Sequence, residues 1–296
     1  MQNALFIYNP RSGKNRLRQP GPILERLTGH GLLTQTFYLS GTNDHQQLIR
    51  ILSQGHFDSV IISGGDGSIN FVVNVLLQNQ IELPVGIIPA GTSNDLARNL
   101  KIPLQQTKAA DLILKGKTSV IDVGLANQKI YFLSSYSGGL FTDISYKTEG
   151  KFKKSLGPLA YYLKGIQELS RVNPFSLTVE TGSGIIEEDV LLFFILNGPN
   201  VAGLSDIVHE ANPADGLLHL VLIRKCNPID LAGLFFNMLG RHSLRGDDKV
   251  KVLSAPEFRL SSDREIALSI DGERYDNLPA ELNITPQKLT VFSALK

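Results

Sequence analysis

One cysteine, two methionines and no tryptophan occur in 296 residues. The lone Cys226 excludes an internal disulfide framework and a cysteine-rich zinc site, and a reducing compartment is the simpler setting. A charge excess is missing as well. The 29 Lys+Arg and 28 Asp+Glu leave a net charge of +1, which argues against a dedicated nucleic-acid binder. The longest apolar run, Val190 to Leu196, falls far short of the roughly 20 residues that span a bilayer. No basic segment precedes an apolar stretch at the start, so no export signal is visible. The six histidines lack metal-ligand spacing, and neither His-Glu-x-x-His nor Gly-x-Ser-x-Gly occurs, which leaves zinc-protease and serine-hydrolase chemistry unsupported. What remains is ordinary globular composition, 42% apolar and 19% charged, at a length that suggests two domains.

The chain changes character near residue 119. Before it, short apolar strands alternate with helical spacing. Ala4–Tyr8, Thr34–Leu39, Asp58–Ile62 and Val85–Ile88 read as strands; Pro22–Leu33, His45–Leu52 and Asn70–Leu77 read as helices. That alternation predicts a doubly wound, mainly parallel α/β sheet. After it, strand candidates dominate: Ser119–Ala126, Ile130–Ser135, Ser176–Thr181, Asp189–Leu196, Leu217–Ile223, Glu257–Leu260, Glu265–Ile270 and Lys288–Phe292. Only about Pro158–Ser170 and Ile229–Leu239 look helical, which predicts an antiparallel β-sandwich. The expected division is 1–122, completed by 284–296, against 123–283.

Three polar, glycine-containing loops follow strands of the first half: Asn9-Pro10-Arg11-Ser12-Gly13, Gly64-Gly65-Asp66-Gly67-Ser68 through Asn70, and Pro89 through Thr92 to Asp95. Strand carboxyl ends are where α/β sheets bind ligands. Glycines let the backbone approach an anion, and a following helix offers free N–H groups to phosphate. Simple turn chemistry is the bland alternative for any one loop. Walker A and Rossmann fingerprints are both incomplete. Asp66 would put a carboxylate beside phosphates, which needs an intervening cation and favours Mg²⁺-assisted phosphoryl transfer over hydride transfer.

Together these motifs resemble the catalytic domain of diacylglycerol kinases, and the whole layout is similar to the soluble bacterial lipid kinases of that family. Ser137-Gly-Gly139, Leu156-Gly-Pro-Leu-Ala-Tyr-Tyr162, Asp215-Gly216 and Asp271-Gly-Glu273 extend the resemblance from about residue 4 to 293. It implies an α/β ATP-binding domain, a β-sandwich lipid domain and an active site in the cleft between them. It implies ATP contacts at Asn9–Gly13, Gly64–Asn70 and Thr92, joined by a hydroxyl from Ser40 or Thr42. Glu273 matches the proton acceptor, and Asp271 stands beside it. Asp66 would hold the catalytic Mg²⁺, and Asp95 would orient its loop or a metal-bound water. A second Mg²⁺ would sit on Asp215 and on the carbonyls of Asn212 and Leu217. Phe71, where the family often has an acid, and His209-Glu210 depart from the pattern.

A lipid acceptor requires a membrane surface. Lys147 to Lys164 carries five lysines against one acid, with Phe152, Tyr161 and Tyr162 interleaved, and suits anionic headgroups. Ile229–Leu239 offers an apolar face followed by Arg241 and Arg245. Packing against the sandwich is the alternative for both. The expectation is a cytoplasmic enzyme peripheral to the inner membrane face, with no nucleic-acid partner and a homodimer left open. Two other readings stay open: a kinase of a soluble substrate such as NAD, and a nucleotide-binding regulator without turnover.

Overall fold

The computed structural model describes residues 2–13, 20–140, 173–201, 203–239 and 246–295. The chain divides into two compact units, Met1–Asp122 with Pro286–Lys296, and Val123–Thr285.

In the first unit β1 (Asn3–Tyr8), β2 (Leu33–Tyr38), β3 (Ser59–Gly64) and β4 (Val85–Pro89) lie in the order β2-β1-β3-β4, and all pair in parallel. The last strand, β15 (Ala280–Phe292), joins β4 in parallel through Val291 and Val85. β3 and β4 are buried along their whole length, as parallel strands covered on both faces should be. The helices are α1 (Gly21–Thr28), α2 (Asp44–Gln54), α3 (Asp66–Gln78), α4 (Asp95–Asn99) and α5 (Gln106–Leu114).

Three expectations need correction here. The first helix stops at Thr28, because Gly29 caps it and Gly31 takes φ +81°. The second loop is not a loop beyond Gly65: Asp66 already opens α3, so Gly67, Ser68 and Asn70 lie in its first turns. Helices α4 and α5 escaped the sequence reading; α4 is only five residues long.

In the second unit the strands are antiparallel. They are β5 (Thr118–Ala126, entering from the first unit), β6 (Ile130–Phe132), β7 (Ser135–Gly139), β8 (Phe175–Thr181), β9 (Gly184–Leu196), β10 (Leu218–Arg224), β11 (Val250–Ala255), β12 (Glu257–Ser262), β13 (Ala267–Ile270) and β14 (Glu273–Asn277). The path runs β14-β13-β7-β9-β8-β12-β15, with β10 on β9 and β11 on β10. β9 organises it. Phe193 and Ile195 enter one core with Tyr136, Leu220 and Phe258, while Leu192, Phe194 and Leu196 enter another. The period-two alternation therefore feeds two cores, which is why this run has no polar face. Helix α6 (Pro228–Leu239) closes the second core with Leu231, Leu234, Phe235 and Met238.

That packing supports the alternative left open for this helix: Leu231, Leu234, Phe235 and Met238 are buried, while Ile229 and Phe236 stay exposed, at 83% and 55%. The expected strand Ile130–Ser135 is two strands, broken at Leu133–Ser134. β11 and β14 were not anticipated. The basic segment 147–164, the insert 156–162, Arg241 and Arg245 lie outside the described residues. No helix among the described residues is long and apolar enough to cross a membrane.

Candidate functional site

Four strand ends of the first unit meet at one edge. Asn9 N–H donates to Ser63 O (3.0 Å), Leu39 N–H to Tyr8 O (2.9 Å) and Ala90 N–H to Gly64 O (2.7 Å). Side chains then cross-link the loops. Asn9 Nδ2 donates to Ser68 Oγ at 2.7 Å, and its Oδ1 accepts Arg11 N–H at 2.9 Å. Ser12 Oγ accepts Gly65 N–H at 3.2 Å. A Cβ on Gly64 would lie 2.6 Å from Ser68 Cβ, and one on Gly91 would lie 2.7 Å from Gly65 Cα. Two backbones thus touch where any side chain would part them. Pro10, Gly13 and Thr92 are exposed on this edge.

Arg11 reaches the fourth loop, donating to Ser40 O. Ser40 Oγ donates to Asp44 Oδ1 at 2.6 Å and accepts Thr42 N–H at 3.2 Å. Gly41 N–H donates to Asp44 Oδ2 at 2.7 Å. Burial pushes the Asp44 carboxyl up, but the Ser40 hydroxyl, the N–H groups of Gly41 and Ser40, and Arg11 outweigh it and hold it below the usual range. Asp44 was missed in the sequence; an Asp opening a helix after Ser-Gly-Thr-Asn is its only local signal.

Asp66 is turned toward α4. Its Oδ1 accepts Leu96 N–H at 3.2 Å. Desolvation pushes its carboxyl up, against hydrogen bonds from the backbone of residues 94–96. Asp95, at the first position of α4, is buried. Asn94 was also missed. It is 2% exposed, adopts φ +51°, and clamps Gly91 with Oδ1 on its N–H (2.8 Å) and Nδ2 on its O (3.0 Å). Asn is the non-glycine residue best suited to that conformation. Asn70 O and Oδ1 both accept Asn74 Nδ2 at 3.0 Å, which ties Asn70 to α3.

In the second unit β13 and β14 form a hairpin whose turn is Asp271-Gly272, at φ +46° and +86°. Both positive φ values are what a two-residue hairpin turn demands. The Asp271 carboxylate accepts Leu133 N–H (2.8 Å), Ser134 N–H (2.9 Å) and Ser135 N–H (2.8 Å). These bonds hold the break between β6 and β7 and engage both oxygens of Asp271. Glu273 follows at the start of β14, exposed, and its side chain makes no hydrogen bond or ion pair among the described residues. A cavity of about 280 Å³ beside this hairpin is lined by Gly139, Glu265, Ile266, Ala267, Arg274 and Asn277.

Asp215 closes a loop on itself: Oδ2 accepts Asn212 N–H (3.0 Å) and Oδ1 accepts Leu217 N–H (2.9 Å). His219 Nε2 stands 3.1 Å from Oδ2. Among the described residues no three His, Cys, Asp or Glu side chains gather where they could hold a metal ion.

The diacylglycerol kinase catalytic domain matches residues 3–126, and the C-terminal NAD kinase beta sandwich-like domain matches residues 144–293. A diacylglycerol kinase of Staphylococcus carnosus (strain TM300) is 30% identical over 293 residues, 99% of this chain and 95% of that protein. The chain belongs to the diacylglycerol kinase family. A diacylglycerol kinase of Staphylococcus aureus (strain MRSA252) is 31% identical over 99% of this family member and 92% of its own length. The fold agrees. A diacylglycerol kinase structure from Bacillus anthracis str. Sterne superposes with TM-score 0.77 at 20% identity, covering 99% of this chain and 97% of that one. A second structure from that organism gives TM-score 0.83 at 23% identity, over 99% and 95%. The protein is a kinase, with the family's α/β catalytic domain and β-sandwich-like partner domain.

Proposed function

We propose that this kinase transfers the γ-phosphate of ATP to a membrane lipid hydroxyl, with diacylglycerol as acceptor and phosphatidic acid as product. The observation that carries the reading is the cross-bonded loop edge of the first unit. There Asn9, Ser12, Ser68 and the glycines 64, 65 and 91 hold bare backbone beside the N-terminus of the thirteen-residue helix α3. Such a helix end attracts phosphate through free N–H groups and its dipole. Arg11 and the Ser40–Thr42 loop flank that edge, and Thr92 offers an exposed hydroxyl. The relatives' names support the acceptor class.

Asp66 fits a divalent cation: desolvation outweighs the backbone N–H groups that reach its carboxyl, so a cation would supply the missing countercharge. Asp95, whose backbone N–H reaches Asp66, is a second buried acid. Mg²⁺ bound there would neutralise charge on the phosphate oxygens. The other steps belong to the chain. Glu273 accepts the lipid hydroxyl proton as that oxygen bonds to the γ-phosphorus and the bond to the bridging β–γ oxygen breaks, releasing ADP. Asp271 holds the turn that presents Glu273. ATP is cytoplasmic and the acceptor is a lipid, so the enzyme works peripherally at the cytoplasmic membrane face; the five lysines of residues 147–164 suit an anionic surface.

The test is label transfer from γ-labelled ATP with Mg²⁺ to a lipid panel in mixed micelles, with NAD as soluble control. Labelled phosphatidic acid is expected, with Glu273→Gln lowering turnover about 10²–10⁴-fold while ATP binding is retained. Label on another lipid would correct the acceptor, and label on NAD alone would overturn the lipid reading.

A further inference from the structure

The family resemblance places a second divalent cation on Asp215 and on the carbonyls of Asn212 and Leu217. The groups around Asp215 do not suit one. A hard cation needs a shell of oxygen ligands. What faces the Asp215 carboxylate is a ring of donors. Asn212 N–H and the His219 ring both reach Oδ2, and Leu217 N–H reaches Oδ1. These three donors take three of the carboxylate's roughly four lone-pair sites, and the donors aimed there repel a cation. The carbonyl of Asn212 is turned inward, accepting Asp215 N–H at 3.1 Å. Asn212 Oδ1 accepts Ala214 N–H at 3.1 Å, so the loop uses that oxygen too.

His219 is built into this arrangement. It is 3% exposed on β10 and pairs in register with Ser254 on β11. Its Nδ1 lies 2.9 Å from Ser254 Oγ and its Nε2 lies 3.1 Å from Asp215 Oδ2. One tautomer satisfies both contacts: Nε2–H donates to Asp215 while Nδ1 accepts from the Ser254 hydroxyl. The imidazole therefore spans from the loop to a strand pair.

We propose that in this chain His219, supported by Ser254, closes the Asp215 loop in the place where a divalent cation would otherwise sit, so that this loop is metal-independent. The inference rests on the hydrogen bonds of the second unit and stands apart from the assignment of ATP and lipid. Its test uses the full chain without nucleotide. Bound metal is measured by plasma mass spectrometry, and melting temperature is measured in EDTA and in millimolar Mg²⁺ or Ca²⁺, for the wild type, Asp215→Asn, His219→Leu and His219→Gln. Expected are no stoichiometric metal, a wild-type melting temperature equal in EDTA and Mg²⁺, a drop of about 5 °C for His219→Leu, and partial recovery in His219→Gln, which keeps a donor. A rise with Mg²⁺ that persists in Asp215→Asn arises elsewhere and leaves the proposal standing. Stoichiometric metal lost in Asp215→Asn, a Mg²⁺-dependent rise abolished by that variant, or an unchanged melting temperature in His219→Leu would overturn it. If His219→Leu does not fold, the wild-type metal content and EDTA comparison decide alone.

Discussion

Asp66 and Asp271 are the same side chain in opposite electrostatic situations. Asp271 is satisfied, with three backbone N–H groups on its two oxygens. Asn at 271 suits the positive φ but offers one acceptor oxygen, so Asp271→Asn isolates the bonds from the turn conformation. It should cost about 2–3 kcal/mol in thermal or denaturant unfolding and lower kcat with ATP binding intact. Asp66 is desolvated and its folded-state pKa is raised. For an acid with a raised folded pKa, ionisation disfavours the folded state. The penalty is absent below the unfolded pKa near 3.8, grows as pH rises through the folded pKa, and is full above it. Asp66→Asn should therefore raise the melting temperature at neutral pH, measured without Mg²⁺ and nucleotide, while removing turnover; a lower melting temperature would show that the carboxylate is not strained. Both aspartates stand out in the sequence by their glycine neighbours. Their opposite situations do not, because the partners of Asp271 are about 136 residues away in sequence.

At the scale of elements, strand and helix periodicity was readable wherever one element met one environment. β1, β3 and β4 are short apolar runs with buried surroundings, and the alternation with α2 and α3 follows from local pattern. Reading failed where a distant group ends an element. The strand expected over Ile130–Ser135 breaks because Asp271 takes the N–H groups of Leu133–Ser135 out of any ladder. β14, Glu-Arg-Tyr-Asp-Asn, is too polar to read as a strand and exists because the Asp271-Gly272 turn folds it onto β13. The contact of Gly65 with Gly91 joins two elements that are separate in sequence. Gly91→Ala would set its Cβ 2.7 Å from Gly65 Cα and 3.0 Å from Asn94 Oδ1. Backbone on one side cannot yield as a side chain can, so the expected cost is about 1–3 kcal/mol, with a raised KM for ATP and a smaller change with the lipid acceptor.

Across the whole molecule, ion pairs bind strands that the chain leaves far apart. Glu188 on β9 meets Arg224 on β10 and Lys251 on β11, each at 2.9 Å. Hydrogen bonds from Arg224 and then Lys251 hold its carboxyl below the usual 4.5. A depressed folded pKa gives stability that is fully present above 4.5 and is lost as pH falls through the lower folded value. Melting temperature should fall on acidification below about pH 4.5, and Glu188→Gln should flatten that fall and reduce its salt sensitivity; an unaltered acid limb would remove Glu188 from the account. The sequence alone determined the class of the fold, parallel α/β followed by antiparallel β, because hydrophobic periodicity is a property of neighbours along the chain. It also carried the glycine-rich motifs, because close backbone approach demands glycine locally. Only the tertiary structure decided what each acid does. Hydrogen-bond supply and desolvation are set by groups remote in sequence, and they make Asp271 an anchor, leave Asp66 a desolvated acid and join Asp215 to His219.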